Sequence, residues 1–524
     1  MKSSFLDAIL GERSGAGSGP ASFGQGPEAW PERVERLQGA GAYRGDGKVV
    51  APEQARLLLE ALLRPGDTVA LEGSPDKQAR FLAATLAEIG RGSVRDLHLV
   101  VPVIALSEQI HLLKGGAVSR LSYASAGGLS AQVNEACQAG NVQVATPLST
   151  PQLLAHQLLD RPIQVALVAA DEADERGNLC TGGTPGDTRS IARNVHLHGG
   201  LVVAQVNRVV GRVSRVEVPG EWVDFVIPVP AAQPHGPVAT LDPVQITPAQ
   251  VLLALLLLRG VYAEYRVATI CHDNSLVAAA VELMLPTVGR DLGLRGQVCS
   301  HWVGVPRPSL IPAVESGFVA RVLPLSTEPG MERYMAARRR VFPVGPHGQP
   351  AFDCWEAATL GVQATDLFLR TPMVVDVLGN YTLNRSDIIR GESRVGALVV
   401  LVCETFRTAR NATFVESFTA GDALPGERVT HIVTEVGVSD LRRCETAAER
   451  QMAIRTVAGY TDPGLRTDPD AVIRLQRRGV VRKADDLGIN RLDATLDLLA
   501  ARQLRDLAEW SGGLYDPPGR MRNW

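Results

Sequence analysis

Pro52-Glu-Gln-Ala-Arg-Leu-Leu-Leu-Glu-Ala-Leu-Leu63, followed by Pro65-Gly66-Asp67 and Thr68-Val-Ala-Leu71, is the stretch on which the fold turns. Proline opens the first segment, where a helix does not need its missing N–H, and the leucines recur at helical spacing. Pro-Gly-Asp makes a turn, and the short apolar run after it reads as a buried strand. Working outward, Lys77 to Ile89 is a second amphipathic helix and Asp96-Leu-His-Leu-Val-Val101 a second strand. Val165-Ala-Leu-Val168, Gly200-Leu-Val-Val-Ala204 and Phe225-Val-Ile227 continue the strands. Short apolar runs separated by helices predict an α/β fold with a parallel or mixed sheet covered on both faces.

The same order then returns. Ile246-Thr-Pro248-Ala-Gln250 repeats the Pro-x-Gln of Pro52-Glu-Gln54. A helix (Val251 to Leu258), a strand (Val267-Ala-Thr-Ile270), a helix (Leu276 to Leu285) and a strand (Gly296-Gln-Val-Cys299) follow. Leu148-Ser-Thr150 is echoed by Leu325-Ser-Thr327, Gly177-Asn178 by Gly379-Asn380, and Leu201-Val-Val-Ala-Gln-Val-Asn207 by Leu398-Val-Val-Leu-Val-Cys-Glu404. The echoes keep one order, which predicts a duplicated α/β domain; the competing reading is two unrelated α/β domains sharing common turns. The expected division is a mobile Gly/Ser/Ala/Pro-rich arm over 1–45, one domain over 46–243, its repeat over 244–462, and a helical C-terminal extension over 463–524. That extension ends in the aromatic-bearing Glu509-Trp-Ser-Gly-Gly-Leu-Tyr-Asp-Pro-Pro518.

Composition narrows the function by exclusion. A length of 524 residues with 45% apolar residues allows two or three domains with cores. A formal net charge of −3 gives no electrostatic case for nucleic acid or an anionic membrane. The longest aliphatic block, Val251 to Leu258, is far short of the ~20 residues of a membrane span, so a cytoplasmic protein is expected. Seven cysteines without a C-x-x-C pair exclude a disulfide scaffold and a zinc ribbon. His196/His198, Cys271-His272 and Cys299-Ser-His301 have no ligand spacing around them and read as structural, so no metal is expected. No G-x-S-x-G elbow and no P-loop occurs. What remains is polar and glycine residues at strand ends, where open α/β sheets bind ligands. Glu72-Gly73-Ser74-Pro75 leads toward Lys77, and a glycine there admits backbone N–H groups to an anion or oxyanion, or is simply a strand-to-helix turn. The Gly-rich polar loop from Asp171 to Gly186 follows a buried strand, and loops of that length tend to carry function.

Asp174-x-x-Gly177-Asn178 followed by Val202-Val-Ala-Gln205-Val-Asn207 resembles the family I coenzyme A transferases, built from two similar α/β halves. Within them the chain is most similar to the alpha subunits of biotin-independent malonate decarboxylases. The segments are Leu71-Glu-Gly-Ser-Pro-Asp-Lys-Gln-Ala-Arg-Phe-Leu82, Trp222-Val-Asp-Phe-Val226, Ala279-Ala-Val-Glu-Leu-Met-Leu-Pro-Thr287 and His301-Trp302. Leu310-Ile-Pro-Ala-Val-Glu-Ser-Gly317, Gly330-Met-Glu-Arg-Tyr-Met-Ala-Ala-Arg338 and Trp510-Ser-Gly-Gly-Leu-Tyr515 complete the set. The resemblance implies two CoA-transferase-like domains that exchange acetyl for malonyl on a small acyl carrier, releasing acetate. It implies that the thiol belongs to a phosphoribosyl-dephospho-CoA group on that carrier, that this chain holds no covalent cofactor, and that carboxylase-like beta and gamma subunits decarboxylate the product. The substrate- and carrier-binding residues it suggests are Glu72, Gly73, Asp174, Gly177, Asn178, Gln205, Asn207, Asn274 and His301.

Two segments depart from that family. Where it has a Gly-x-Gly turn at the first strand end of the second half, this chain reads Cys271-His-Asp-Asn-Ser275. A Gly-Gly-rich loop is replaced by Tyr381-Thr-Leu-Asn-Arg-Ser-Asp-Ile-Ile-Arg-Gly391 and the residues up to Gly396, leading directly to the strand Ala397 to Val402. Lowered turnover resting on the first half is therefore expected. A scaffold subunit of the same complex and a citrate-lyase-type or plain CoA-transferase stand as alternatives. For a catalytic carboxylate, Ser326-Thr-Glu328-Pro-Gly330 resembles the transferases' Ser-Glu-Asn-Gly motif, whereas strand order puts Ser300 nearer that position. Direct attack by malonate on the thioester, with no protein nucleophile, is the preferred route.

Overall fold

The computed structural model describes residues 31–43, 47–74, 77–89, 94–126, 129–145, 153, 162–182, 186–231, 233, 241–325, 327–345, 350–383, 396–418, 423–489 and 503–518. The chain divides into two units: Met1–Pro237 with Phe352–Thr359, and Val238–Ala351 with Leu360–Trp524. Among the described residues, no helix is long and apolar enough to cross a membrane.

The first unit is built on β1 (Thr68–Leu71), β2 (Leu97–Val103), β3 (Val118–Ser125), β4 (Gln143–Val144), β5 (Val165–Ala173), β6 (Leu179–Cys180), β7 (Leu201–Val209) and β8 (Phe225–Pro228). They lie in the order β4-β3-β2-β1-β5-β7-β8, all parallel, with β6 antiparallel to the end of β5. β1 and β2 are buried throughout, which is why they read as unbroken apolar runs. The helix Ala55–Leu62 turns Ala55, Leu58, Leu59 and Leu62 inward at the spacing the sequence predicts.

The expected mobile arm needs a correction. Pro31–Gly39 is a helix, and its buried residues are two arginines. Arg33 pairs with Asp224 at 2.5 Å and Arg36 with Asp67 at 2.6 Å, so this segment is pinned to β-strand ends by buried charge pairs. Hydrophobic periodicity cannot report such an anchor.

The second unit repeats the plan. Its strands are β9 (Thr269–Cys271), β10 (His301–Gly304), β11 (Arg321–Pro324), β12 (Leu367–Arg370), β13 (Val374–Asp376), β14 (Tyr381–Thr382), β15 (Leu398–Val402), β16 (Phe406–Thr408), β17 (Asn411–Ala412), β18 (Phe414–Val415), β19 (His431–Thr434), β20 (Gly437–Asp440) and β21 (Val481–Arg482). The main sheet runs β11-β10-β9-β12-β15-β19-β20-β21, parallel as far as β19 and antiparallel beyond. Element by element, β3-β2-β1-β5-β7-β8 of the first unit matches β11-β10-β9-β12-β15-β19 of the second. One difference has a local cause. The nine-residue β5 is answered by two strands, β12 and β13, with Pro372 between them. Proline cannot supply the ladder N–H that continuity needs.

Two further expectations change. Gly296-Gln-Val-Cys299 is a turn, with Cys299 at φ 57°, and the strand begins at His301. Val298 and Cys299 are fully buried; their apolarity records burial rather than strand. The extension past 463 is not only helical, because β21 adds an antiparallel strand to the main sheet.

The repeat is closest in two matching clasps. Asp174 Oδ1 accepts the N–H groups of Arg176 and Asn178, both at 3.0 Å, while Asn178 Nδ2 donates to Asp174 Oδ2 and Gly220 N–H to Asn178 Oδ1. In the second unit Asp376 Oδ1 accepts from Leu378 and Asn380, both at 2.9 Å, Asn380 Nδ2 donates to Asp376 Oδ2, and Gly426 N–H to Asn380 Oδ1. Gly177 and Gly379 take positive φ at 84° and 85°. A cation closes each clasp, Lys48 on the carbonyls of Gly220 and Val223, Arg450 on those of Gly426 and Val429. Leu148-Ser-Thr150 of the remaining echo lies outside the described residues.

Candidate active site

In the second unit the loops leaving the C-terminal ends of β9, β10, β11 and β12 bring His272–Ser275, Arg307, Thr327–Glu328 and Thr371 to one edge of the sheet, where open α/β folds place their ligands. The helix Leu276–Met284 starts there, capped by Ser275, whose hydroxyl accepts the Ala278 N–H. Asp273 is fully buried; its carboxylate accepts from Ser275 Oγ and from the N–H of Thr371. Arg307 lies between Pro306 and Pro308, donates to the carbonyl of Asp273 and stands 3.7 Å from Glu282.

Behind these groups runs a buried chain of donors and acceptors. Tyr262 Oη meets His272 Nε2 at 2.8 Å, His272 Nδ1 meets Glu282 Oε1 at 3.0 Å, and Ser309 Oγ donates to Glu282 Oε2 at 2.5 Å. Tyr262 sits in a π-helical turn, Leu258–Tyr262, that continues the helix Pro248–Leu257. Burial alone would raise the Glu282 carboxyl; Arg307, His272 and Ser309 outweigh it and hold the group below the usual carboxylate range.

Glu328 is the opposite case. It is fully buried, and neither oxygen has a hydrogen-bond partner among the described residues. Burial pushes its carboxyl up to about 8, a shift that Arg307 opposes and Glu282 reinforces. Thr327 Oγ1, Thr371 Oγ1, Trp302 Nε1 and Tyr515 Oη are likewise buried without partners among the described residues. Folded proteins leave few buried polar groups unpaired, so a fully buried carboxyl without a partner, beside a guanidinium, marks a place built for something other than stability.

The other sequence-predicted residues are placed differently. Glu72 accepts from Thr188 Oγ1 at 2.6 Å and from Ala169 N–H at 2.8 Å and pairs with the buried Lys77 at 3.2 Å, so its acceptors are occupied. Gly73 has no space for a ligand over its α-carbon: an added Cβ would stand 2.6 Å from the Val103 carbonyl. Asp174, Gly177 and Asn178 form the first clasp described above. Gln205 bonds Leu82 N–H and Gln233, and Asn207 bonds Asp171 and the Gln233 backbone, which ties β7 to its surroundings. Asn274 lies in the cap turn beside Asp273, at the candidate site. His301 opens β10 and so stands at the N-terminal edge of the sheet, opposite the loops that carry Glu328. Ser300 is at that same edge; the misplaced strand had made it look like a strand-end residue. The geometry thus gives most of the first-half residues hydrogen-bond partners within the fold and puts a buried carboxyl without a partner among the described residues in the second half. The replaced glycine loop, 384–395, lies outside the described residues. Sequence reading missed Arg307, Glu282, Tyr262 and Tyr515; the Pro-Arg-Pro frame of residues 306–308 was the one local signal available.

A duplicated open α/β protein with an unpaired carboxyl beside a guanidinium at its strand ends is, as a class, one built to handle small carboxylate or acyl groups. The family follows from comparison. The model for "Malonate decarboxylase, alpha subunit, transporter" matches residues 28–393 and 381–524. A protein of Malonomonas rubra named acetyl-S-ACP:malonate ACP transferase is 36% identical, over 94% of this chain and 97% of its own length. The crystal structure of a malonate decarboxylase alpha subunit from Acinetobacter baumannii superposes with TM-score 0.83 at 33% identity, covering 94% of this chain and 98% of that one. A Pseudomonas malonate decarboxylase hetero-tetramer in complex with malonate matches at TM-score 0.82 and 35% identity, again over 94% and 98%. The chain belongs to the malonate decarboxylase alpha-subunit family.

Proposed function

We propose that this chain is an acyl-carrier transferase, exchanging acetyl for malonyl on a carrier subunit with release of acetate. The observation that carries it is the near full-length match to a protein named for that exchange. In this reading the thioester sulfur is that of a phosphoribosyl-dephospho-CoA group on the carrier, and the chain itself holds no covalent group. It works in the cytoplasm beside carboxylase-like beta and gamma subunits. The match favours the malonate system over a citrate-lyase-type or plain CoA-transferase.

The site supports a route without a protein nucleophile. A carboxyl raised to about 8 is mostly protonated at neutral pH, which favours it as a donor over a nucleophile. It is a donor for negative charge developing on a thioester oxygen, as buried carboxylic acids are elsewhere. One carboxylate oxygen of malonate attacks the acetyl carbonyl, and the carbon–sulfur bond breaks to give acetyl-malonyl anhydride and free thiolate. The sulfur then bonds the malonyl carbonyl and acetate leaves, so acyl groups and charge balance. Arg307 provides the positive charge beside this path, and the Tyr262–His272–Glu282 chain holds Arg307 in place.

The test is a single turnover with acetylated carrier and carboxylate-18O malonate. Direct attack delivers label to the first acetate released; a covalent enzyme carboxylate would deliver unlabelled acetate and keep the label on Glu328. Glu328→Gln retains a donor and lowers the rate by no more than the ~10²–10³-fold of one oxyanion contact. Abolished transfer together with unlabelled acetate from the native chain would establish Glu328 as the nucleophile instead. No acetate release from the native chain would leave the scaffold reading.

A further inference from the structure

The turn that carries Glu328 is completed by the far end of the chain. After the helix Leu504–Trp510, Gly512 and Gly513 take φ of 68° and 78° and turn the backbone. Ser511 Oγ accepts the Tyr515 N–H at 2.9 Å. Asp516 N–H then donates to the Gly330 carbonyl at 3.1 Å. At Gly330 (φ 95°) an added Cβ would lie 2.2 Å from the Asp516 carbonyl oxygen and 3.2 Å from Tyr515 Cε2. Glycine is needed there because the tyrosine ring and its backbone are packed onto the Glu328-Pro329-Gly330 turn.

Packing explains the ring and leaves the hydroxyl unexplained. Tyr515 is 2% exposed, and its Oη, like both Glu328 oxygens, has no hydrogen-bond partner among the described residues. Phenylalanine would fill the same space without burying an unpaired polar atom. The two groups also sense each other. Burial pushes the Tyr515 phenol up, and Glu328, Asp242, Asp516 and Glu332 add to the shift. The charges that reach Glu328 are Arg307, from the loop after β10, and Glu282, from the helix Leu276–Met284.

We propose that Tyr515 is a positioning residue for Glu328, its phenol O–H being the donor that the carboxylate takes up when it releases its proton, so that the C-terminal segment sets the pH at which the working acid form is lost. The proposal rests on Glu328 being the reacting centre's carboxyl, and its test is chosen to read Glu328 with or without turnover.

Thermal midpoints are measured from pH 5 to 9 on the full chain and on Tyr515→Phe, Glu328→Gln and the double variant, beside the pH profile of acetate release. The native Glu328 holds its proton to higher pH than an unfolded chain does. Its contribution to stability is therefore complete below the ordinary glutamate range, falls as pH rises, and levels off where the folded group titrates. Without a donor the carboxylate is harder to form. Tyr515→Phe should move the levelling-off, and the alkaline limb of the rate profile, up by about one pH unit. It should leave the midpoint at pH 5 unchanged or higher, because a hydroxyl with no partner contributes nothing to the folded acid form. The double variant should follow Glu328→Gln. An unmoved levelling-off overturns the proposal, as does a variant that loses stability equally at every pH or fails to fold, since either shows the hydroxyl to be structural. If the native chain releases no acetate, the transfer reading fails while the titration still decides the role of Tyr515.

Discussion

At Gly73 the hint from position is opposite to that of the packing, and at Glu328 it is weaker. Gly73 follows a strand and precedes a helix, as an oxyanion-binding glycine would, yet its carbonyl accepts the Val103 N–H and its α-carbon faces the Val103 carbonyl. Even one methyl must push backbone aside. Gly73→Ala should cost about 1–3 kcal/mol of stability, read as a lower denaturant midpoint, with the turnover of the folded fraction unchanged. A selective loss of turnover at unchanged stability would return Gly73 to the ligand site. Glu328 sits in a motif that only loosely matches the transferases' Ser-Glu-Asn-Gly, and nothing in its neighbours signals that both of its oxygens lack partners. That property depends on the packing around the turn, onto which Tyr515 and Asp516 fold at Gly330 from nearly two hundred positions away.

Among elements, the two clasps show how little of a motif's appearance separates structure from function. Asp-x-x-Gly-Asn occurs at 174–178 and at 376–380, with the same hydrogen bonds and a cation from elsewhere closing each. A binding motif has no reason to be present twice in this form; a strand-end clasp does. Asp174→Ala and Asp376→Ala should each cost about 2–4 kcal/mol, because each strands several donors at once, and the costs should be similar to one another. Chemical denaturation of the two variants checks this, and an Asp174 variant that is stable but inactive would contradict it. The first strand and its flanking helix were legible because their burial follows the helical and strand periods residue by residue. The Gly296–Cys299 segment was misread because a buried turn is as apolar as a buried strand.

On the scale of the whole molecule, the duplication was legible from the order of weak echoes, since a repeated topology repeats its turns and caps in sequence. The chain's crossing between units was not. Phe352–Thr359 lies deep in the second half of the sequence and belongs to the first unit. Asp353 Oδ2 accepts the Ser190 N–H at 2.7 Å, and Trp355 packs on the core formed by Ala166, Val168, Val202 and Ala204. Burial, with Glu356 nearby, pushes the Asp353 carboxyl up to about 6. Asp353→Ala should therefore destabilise the first unit by about 1–3 kcal/mol, seen as faster hydrogen exchange in the helix Thr188–Leu197 while that of Pro248–Leu257 is unchanged. Equal protection in both helices would refute the assignment. The sequence by itself determined the α/β class, the two-fold repeat, the family and the placement of the central strands, because periodicity, turn chemistry and ordered motifs are local properties. Only the tertiary structure decided which polar residues are consumed by the fold and which are left unpaired. Whether Glu72 is satisfied by Thr188 and Glu328 by nothing depends on groups brought together across the sheet, and the free energy of a buried charge is set by those neighbours rather than by its own stretch of chain.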